Sequence, residues 1–452
     1  MNYLQHIKSA LARTRSAKRA ADMSGDASKT MHVALLTLTF PPTMSGLSRE
    51  ISETAEALAD EGIHVRVFTM DRDGRETLRD GKIEVIGCRS ELGNHESSIA
   101  QLPMVRHIRV AKAFSNAVTA EHQKRPIDVI DVPNRFALGY YLTGREVPLV
   151  VRNVAPSRQE LLGDAGAIER AERDFLDRRE KRTAQLADAV ISANRPIAES
   201  MRELYELPYG GIHRVVRPPV NHAFVEAGKT AYFPDLRGPL KLVFVGNTQA
   251  RKGFDEALKA FEILFAQARA DGTPRPELTI VGLDNETLHA NIKRLGLSTG
   301  ATRQITNAGR ITDAKLVDVL MNCHGVLAPS RYQSFGHVYR EAAALGRPVI
   351  ACAADPSAVE FVYSTGSGVL ADRCTPQGIA DKVTELFNDA EAVNTCRVSG
   401  LNSVGDYTRR DTALRTIEVY RAAMKLTPIP FWELAYGQEM ETVSAASQAA
   451  LR

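Results

Sequence analysis

Residues 328–352 read APSRYQSFGHVYREAAALGRPVIAC. An apolar run closes on Pro329 and Ser330, and a turn follows at Gly336. Apolar residues then recur at helical spacing around Glu341, and Gly346, Arg347 and Pro348 lead into a second apolar run. This is one βαβ unit of an open parallel sheet, whose loop and helix start face the carboxyl end of the strands, where ligands bind. A helix beginning near Gly336 offers free N–H groups and the positive end of its dipole, which suit an anion, a phosphate above all.

The same grammar extends to either side. Upstream, residues 242–245 form a strand, followed by a loop with Asn247, Arg251, Lys252 and Gly253. A helix then repeats apolar residues at Phe254, Ala257, Leu258, Phe261 and Leu264. Residues 278–281, 325–328 and 349–351 continue the strands, and 313–321 reads as a helix. The pattern also begins earlier: residues 32–38 (HVALLTL) make a strand that ends in Phe40, Pro41 and Pro42. A turn at Ser45 and Gly46, a helix and the strand 64–69 follow. More strands are predicted at 83–87, 128–132, 148–152, 188–193 and 214–216. The segment 168–186 carries dense charge of both signs and is predicted to be a solvated helix face laced with i,i+4 pairs. Asp71 and Asp73 read as solvated turn residues.

The fold class is therefore α/β, with two doubly wound Rossmann-like domains facing each other across a cleft. The expected divisions are a basic N-terminal extension over 1–30, an N-terminal domain over 31–217 and a C-terminal domain over 218–407. A helix over 408–425 and a tail over 426–452 complete the chain. The helix shows Ala413, Ile417, Tyr420 and Ala423 on one side.

With 44% hydrophobic and 25% charged residues, the chain can bury ample core. A net charge of +3 gives no reason to expect nucleic acid as a partner. Cys88, Cys323, Cys352, Cys374 and Cys396 lie far apart without Cys/His spacing, which argues against a zinc site and a disulfide framework. No apolar run reaches the ~18–20 residues of a membrane span, so the expected location is cytoplasmic. Lys8, Arg13, Arg15, Lys18 and Arg19 would suit peripheral contact at the inner membrane face, although a floppy tail is the plainer reading.

Pro329, Ser330, Phe335, Gly336, Glu341, Gly346 and Pro348 match the signature of the retaining GT-B glycosyltransferases, the family 4-like and group 1 enzymes, and the chain resembles that family. Residues 245–253 (VGNTQARKG) look like its V-G-x-x-x-x-[RK]-K-G loop. The resemblance implies a hexosyltransferase that moves a sugar from a nucleotide-diphosphate donor, UDP- or GDP-linked, to a hydroxyl acceptor, lipid-linked or polysaccharide. It also implies retention of configuration, no metal and no cofactor beyond the co-substrate. Arg251 and Lys252 would stabilise the departing diphosphate as the catalytic cations, a job suited to a forked guanidinium and a point charge. Glu341 would take the ribose hydroxyls. Gln333, Ser334, Phe335, Gly336 and His337 would line the donor, Gly309 and Arg310 would meet the base, and Ser45 with Gly46 would stand near the phosphate and acceptor.

The chain departs from the family at Gln333 and at Val154. Gln333 stands where the family has Glu, so an amide that both accepts and donates replaces a carboxylate. Val154 stands where the family often has His. These departures leave room for a degenerate nucleotide-sugar-binding subunit, and the shared fold leaves room for a phosphorylase or epimerase. A dinucleotide dehydrogenase is disfavoured because the first strand-to-helix turn lacks G-x-G-x-x-G.

Overall fold

A computed structural model describes residues 30–43, 45–92, 103–154, 156–157 and 167–425. The basic N-terminal segment, all but its last residue, and the tail with Trp432 lie outside the described residues. The chain divides into two compact units, Met1–Pro218 with Arg409–Arg452, and Pro219–Thr408.

The first unit is built on an eight-stranded sheet in the order β3-β4-β2-β1-β5-β6-β7-β8. Its strands are β1 His32–Thr37, β2 His64–Thr69, β3 Asp73–Leu78, β4 Ile83–Cys88, β5 Val129–Pro133, β6 Leu149–Asn153, β7 Ala189–Ser192 and β8 Ile212–Val215. All pair in parallel except β3, which runs antiparallel to β4 at the edge. Helices α1 Gly46–Asp60, α2 Pro103–Lys124, α3 Ala167–Gln185 and α4 Arg195–Tyr205 make the crossovers. Strand β5 is buried along its whole length and β1 in all but its first residue, as a parallel sheet covered on both faces requires.

The second unit has a six-stranded, all-parallel sheet in the order β11-β10-β9-β12-β13-β14. These strands are β9 Lys241–Val245, β10 Glu277–Val281, β11 Ile305–Gly309, β12 Gly325–Ala328, β13 Val349–Cys352 and β14 Gly368–Ala371. After β9 comes α5 Phe254–Asp271, and after β12 comes α6 His337–Ala344. Strand order reverses between β9 and β12, so this sheet has its switch point there, with the ligand-binding position of such folds at the carboxyl ends of those two strands. Weakly patterned β3, β11 and β14 escaped the sequence reading because each is short or largely polar.

The last helix, α7 Arg409–Lys425, belongs to the first unit. Ala413, Ile417, Tyr420 and Ala423 are all buried, and Ile417, Tyr420 and Ala423 join the same apolar cluster as Val33, Ile51 and Val129. The Tyr420 hydroxyl donates to Asp131 Oδ2 at 2.7 Å, the Thr412 hydroxyl to the Arg217 carbonyl at 2.8 Å, and Arg409 pairs with Glu53 at 2.8 Å.

Two expectations for the first unit are corrected. Charged α3 is not simply a solvated face: Glu180 is fully buried and accepts from Phe136 N at 2.8 Å, Ser157 N at 3.0 Å and the Tyr205 hydroxyl at 3.0 Å. Glu172 reaches His107 on α2 at 2.7 Å, and Arg179 lies over the Tyr140 ring as well as over Phe175 on its own helix, so these groups work across the fold as well as along the helix. Asp71 is likewise no mere turn residue, since it receives Phe40 N at 3.1 Å and pairs with Arg72 at 2.9 Å, bracing the loop after β1.

Candidate active site

Three loops leave the carboxyl ends of the adjacent strands β9, β12 and β13, and they are bonded to one another. The first carries Arg251 and Lys252. Its exit residue Gly253 has φ +67°, and a Cβ there would lie 2.0 Å from the Pro329 carbonyl oxygen, so only glycine lets this loop touch the one after β12. Arg331 N donates to the Arg251 carbonyl at 2.8 Å, the Arg251 guanidinium to the Tyr332 carbonyl at 3.2 Å, and Arg331 pairs with Glu256 at 2.6 Å.

Lys252 Nζ donates to Gln333 Oε1 at 3.0 Å, while Gln333 Nε2 donates to Ser330 Oγ at 3.0 Å. The amide thus uses both its accepting and its donating ends inside the protein, which a carboxylate could not do. Burial, reinforced by the neighbouring Arg251 charge, lowers the Lys252 ammonium to about 8 against the opposing pull of Asp355 and Glu341. Its bonded neighbour is a neutral amide, so the positive charge is not consumed by an ion pair.

The loop after β13 supplies a residue that sequence reasoning passed over. Asp355 is fully buried. Its Oδ1 accepts from Gln333 N and from Ser357 N, each at 3.0 Å, and its Oδ2 from the Tyr339 hydroxyl at 2.6 Å. Ser357 Oγ donates in turn to the Gln333 carbonyl. Burial raises the Asp355 carboxyl to about 6, with Tyr339, the two backbone N–H groups and the Lys252 charge acting the other way. In the sequence, Asp-Pro-Ser signals a helix start, and Asp355 does cap the short turn Pro356–Ala358. Nothing local shows that the same carboxylate returns to Gln333.

Helix α6 begins at Gly336, whose φ of +59° is left-handed. A Cβ there would meet the Phe361 ring at 2.6 Å. Glu341 is buried on this helix, and its charge acts on Lys252. Phe335 is buried, with its carbonyl held by Arg340 at 2.8 Å, and its ring lies 5.5 Å from that of His337. His337 Nδ1 faces Arg340 at 3.3 Å, and Ser334 is half-buried.

The other candidates lie on other elements. Gly309 closes β11 and Arg310 is exposed beyond it, with its charge acting on Asp284. In the first unit, Ser45 caps α1 by accepting from Ser48 N at 3.1 Å, and a Cβ on Gly46 would meet nothing, so no close packing requires glycine there. Val154 is buried, and its N–H donates to Asn134 Oδ1 at 2.8 Å. No group of His, Cys, Asp and Glu suited to a metal ion is present among the described residues. No helix among them is long and apolar enough to cross a membrane.

Residues 45–217 match the glycosyl transferase 4-like domain, and residues 235–400 match the glycosyl transferases group 1 family. The chain belongs to these glycosyltransferases. It is 27% identical over 450 residues to D-inositol 3-phosphate glycosyltransferase from Thermobispora bispora, covering 92% of this chain and 97% of that protein. Among solved structures, sucrose-phosphate synthase from Thermosynechococcus elongatus superposes with a TM-score of 0.68 at 19% identity, over 86% of this chain and 98% of that one. HepE from Anabaena, solved with UDP and glucose, superposes with a TM-score of 0.61 at 18% identity, over 86% and 98% of the two chains. The glycosyltransferase thus has the GT-B fold. Its group 1 match contains Lys252, Gln333, Asp355 and Glu341.

Proposed function

We propose that this glycosyltransferase moves a sugar from a nucleotide-diphosphate donor to a hydroxyl acceptor with retention of configuration and without a metal ion. The observation that carries the reading is the pair Arg251 and Lys252 at the carboxyl end of β9, bonded to the loop that opens α6 at the sheet's switch point. Two cations beside a helix N-terminus suit a diphosphate, and negative charge that builds on the leaving group is stabilised best by groups fixed in advance. Lys252, lowered to about 8 when nothing is bound, would be driven back up by an anion alongside it. Glu341, buried on the same helix, is assigned to the ribose hydroxyls.

UDP is the favoured nucleotide, because HepE was solved with UDP and glucose. The name of the Thermobispora relative favours a phosphorylated cyclitol as acceptor over a lipid or polysaccharide. Thermal-shift measurements with UDP, GDP and their sugars test the donor: a ligand that binds the folded state raises the melting temperature. UDP or a UDP-sugar should stabilise the wild type and leave the Arg251→Ala/Lys252→Ala double variant unmoved. An equal response in that variant refutes the phosphate assignment. Stabilisation without transfer to any acceptor would favour a binding subunit instead. Proton NMR of the product's anomeric coupling tests retention, and turnover in EDTA tests metal independence.

A further inference from the structure

Asp355 touches neither of the two cations, yet it holds the backbone of Gln333, whose amide oxygen in turn meets Lys252. The Gln333 N–H goes to Asp355 Oδ1, its carbonyl accepts from Ser357 Oγ, and Asp355 holds Ser357 N as well. The Gln333 side chain spans Lys252 and Ser330. Through Tyr339, whose hydroxyl donates to Asp355 Oδ2 and lies 3.4 Å from the Ala328 carbonyl, the same carboxylate is tied to α6 and to the end of β12. Asp355 is thus the point where the loops after β12 and β13 and helix α6 meet.

We propose that Asp355 is a positioning residue of the donor site, which locks Gln333 so that its amide oxygen holds the Lys252 ammonium, and which supplies the buried negative charge that keeps that ammonium protonated. Residue 333 furnishes the hydrogen bond and residue 355 furnishes the charge, two tasks that one carboxylate at position 333 would combine. Three charged groups act on Lys252: Arg251 opposes its protonation, while Asp355 and Glu341 favour it. Separating the hydrogen bond from the charge leaves the face of Lys252 clear of a directly bonded anion, so an incoming diphosphate need not displace one.

This inference rests on the donor-site reading, and the experiment separates the two. Lys252 is followed by NMR of lysine labelled with ¹³C at Cε, with its resonance assigned by loss in Lys252→Arg, alongside UDP affinity and the pH profile of kcat/KM. In Asp355→Asn, which keeps the size of the side chain, the Lys252 titration should move to lower pH by about half a unit or more. The alkaline limb of kcat/KM should follow it. Adding Gln333→Glu should return both toward the wild type, because a carboxylate then stands where the amide oxygen does now. A Lys252 titration unchanged in Asp355→Asn, with lower melting temperature and lower activity in parallel, overturns the proposal and leaves Asp355 a structural group.

Should Asp355→Asn fail to accumulate folded, the wild-type curve decides. A second, smaller inflection of the Lys252 resonance near pH 6, where Asp355 ionises, supports the coupling, and a single-step curve overturns it. If the wild type binds no UDP, the donor reading fails on its own. The titration then still reports on Asp355, a shift upholding the coupling and no shift refuting it.

Discussion

Each unit buries a charged cluster among the carboxyl ends of its central strands, and the two are wired differently. In the first unit, Arg152 at the end of β6 donates to Asp131 Oδ2 on β5 at 2.7 Å, and the Tyr420 hydroxyl from α7 donates to the same oxygen. Glu50 lies 3.9 Å from Arg152 on its other side. Burial alone would lower the Arg152 guanidinium, but Asp131, Tyr420 and Glu50 together raise it above its ordinary value. In the second unit the half-buried cation is met by an amide, with the carboxylates acting on it from further off. A cation bonded directly to its counter-charge fixes helix to sheet. One held by a neutral oxygen keeps its charge for a ligand.

Removing the cation on each side should therefore do different damage. Arg152→Ala leaves Asp131 buried without its counter-charge, and should cost about 3–5 kcal/mol of stability in a denaturant titration. Lys252→Ala should lower kcat/KM by about 10²–10³-fold with little change in the same titration, as loss of one charge-stabilising donor does. A large stability loss in Lys252→Ala would erase the distinction drawn here.

Glu180 sharpens the contrast as a buried carboxylate held by neutral donors. Burial raises it from 4.5 to about 7, against the hydrogen bonds from Ser157, Phe136 and Tyr205. The folded state then holds this proton more tightly than the unfolded chain, so the contribution is present at low pH and is lost as pH rises from about 4.5 to about 7. Its full size is about 3 kcal/mol at roughly 1.4 kcal/mol per pK unit. Thermal or urea unfolding across that window should show a slope in the wild type that is reduced in Glu180→Gln. The smallest expected effect is Tyr420→Phe, which removes one hydrogen bond to the Asp131 carboxylate and should cost about 1.5–2 kcal/mol in the same unfolding assay.

The loop that carries Lys252 and the helix that carries Glu341 were legible because their neighbours in sequence announce them: an apolar run, a glycine and a helical period occur within a few residues. Gln333 was legible as a departure, but its use was not, since its partner Lys252 is 81 positions away. Asp355 was passed over for the same reason. Its local role as a cap is visible in Asp-Pro-Ser, whereas its hold on Gln333 crosses 22 positions and appears only when β12 and β13 lie side by side. Glu180 was misread because charge density along a helix does not reveal which single carboxylate turns inward.

The sequence by itself determined a doubly wound α/β chain with a cationic loop after one strand and a signature helix after another, because apolar periodicity and glycine or proline punctuation are short-range properties of the chain. Tertiary structure alone decided which charges are bonded and which are spared. Tyr420 meets Asp131 across 289 positions and Lys252 meets an amide rather than an acid, and such pairings are set by what burial brings together.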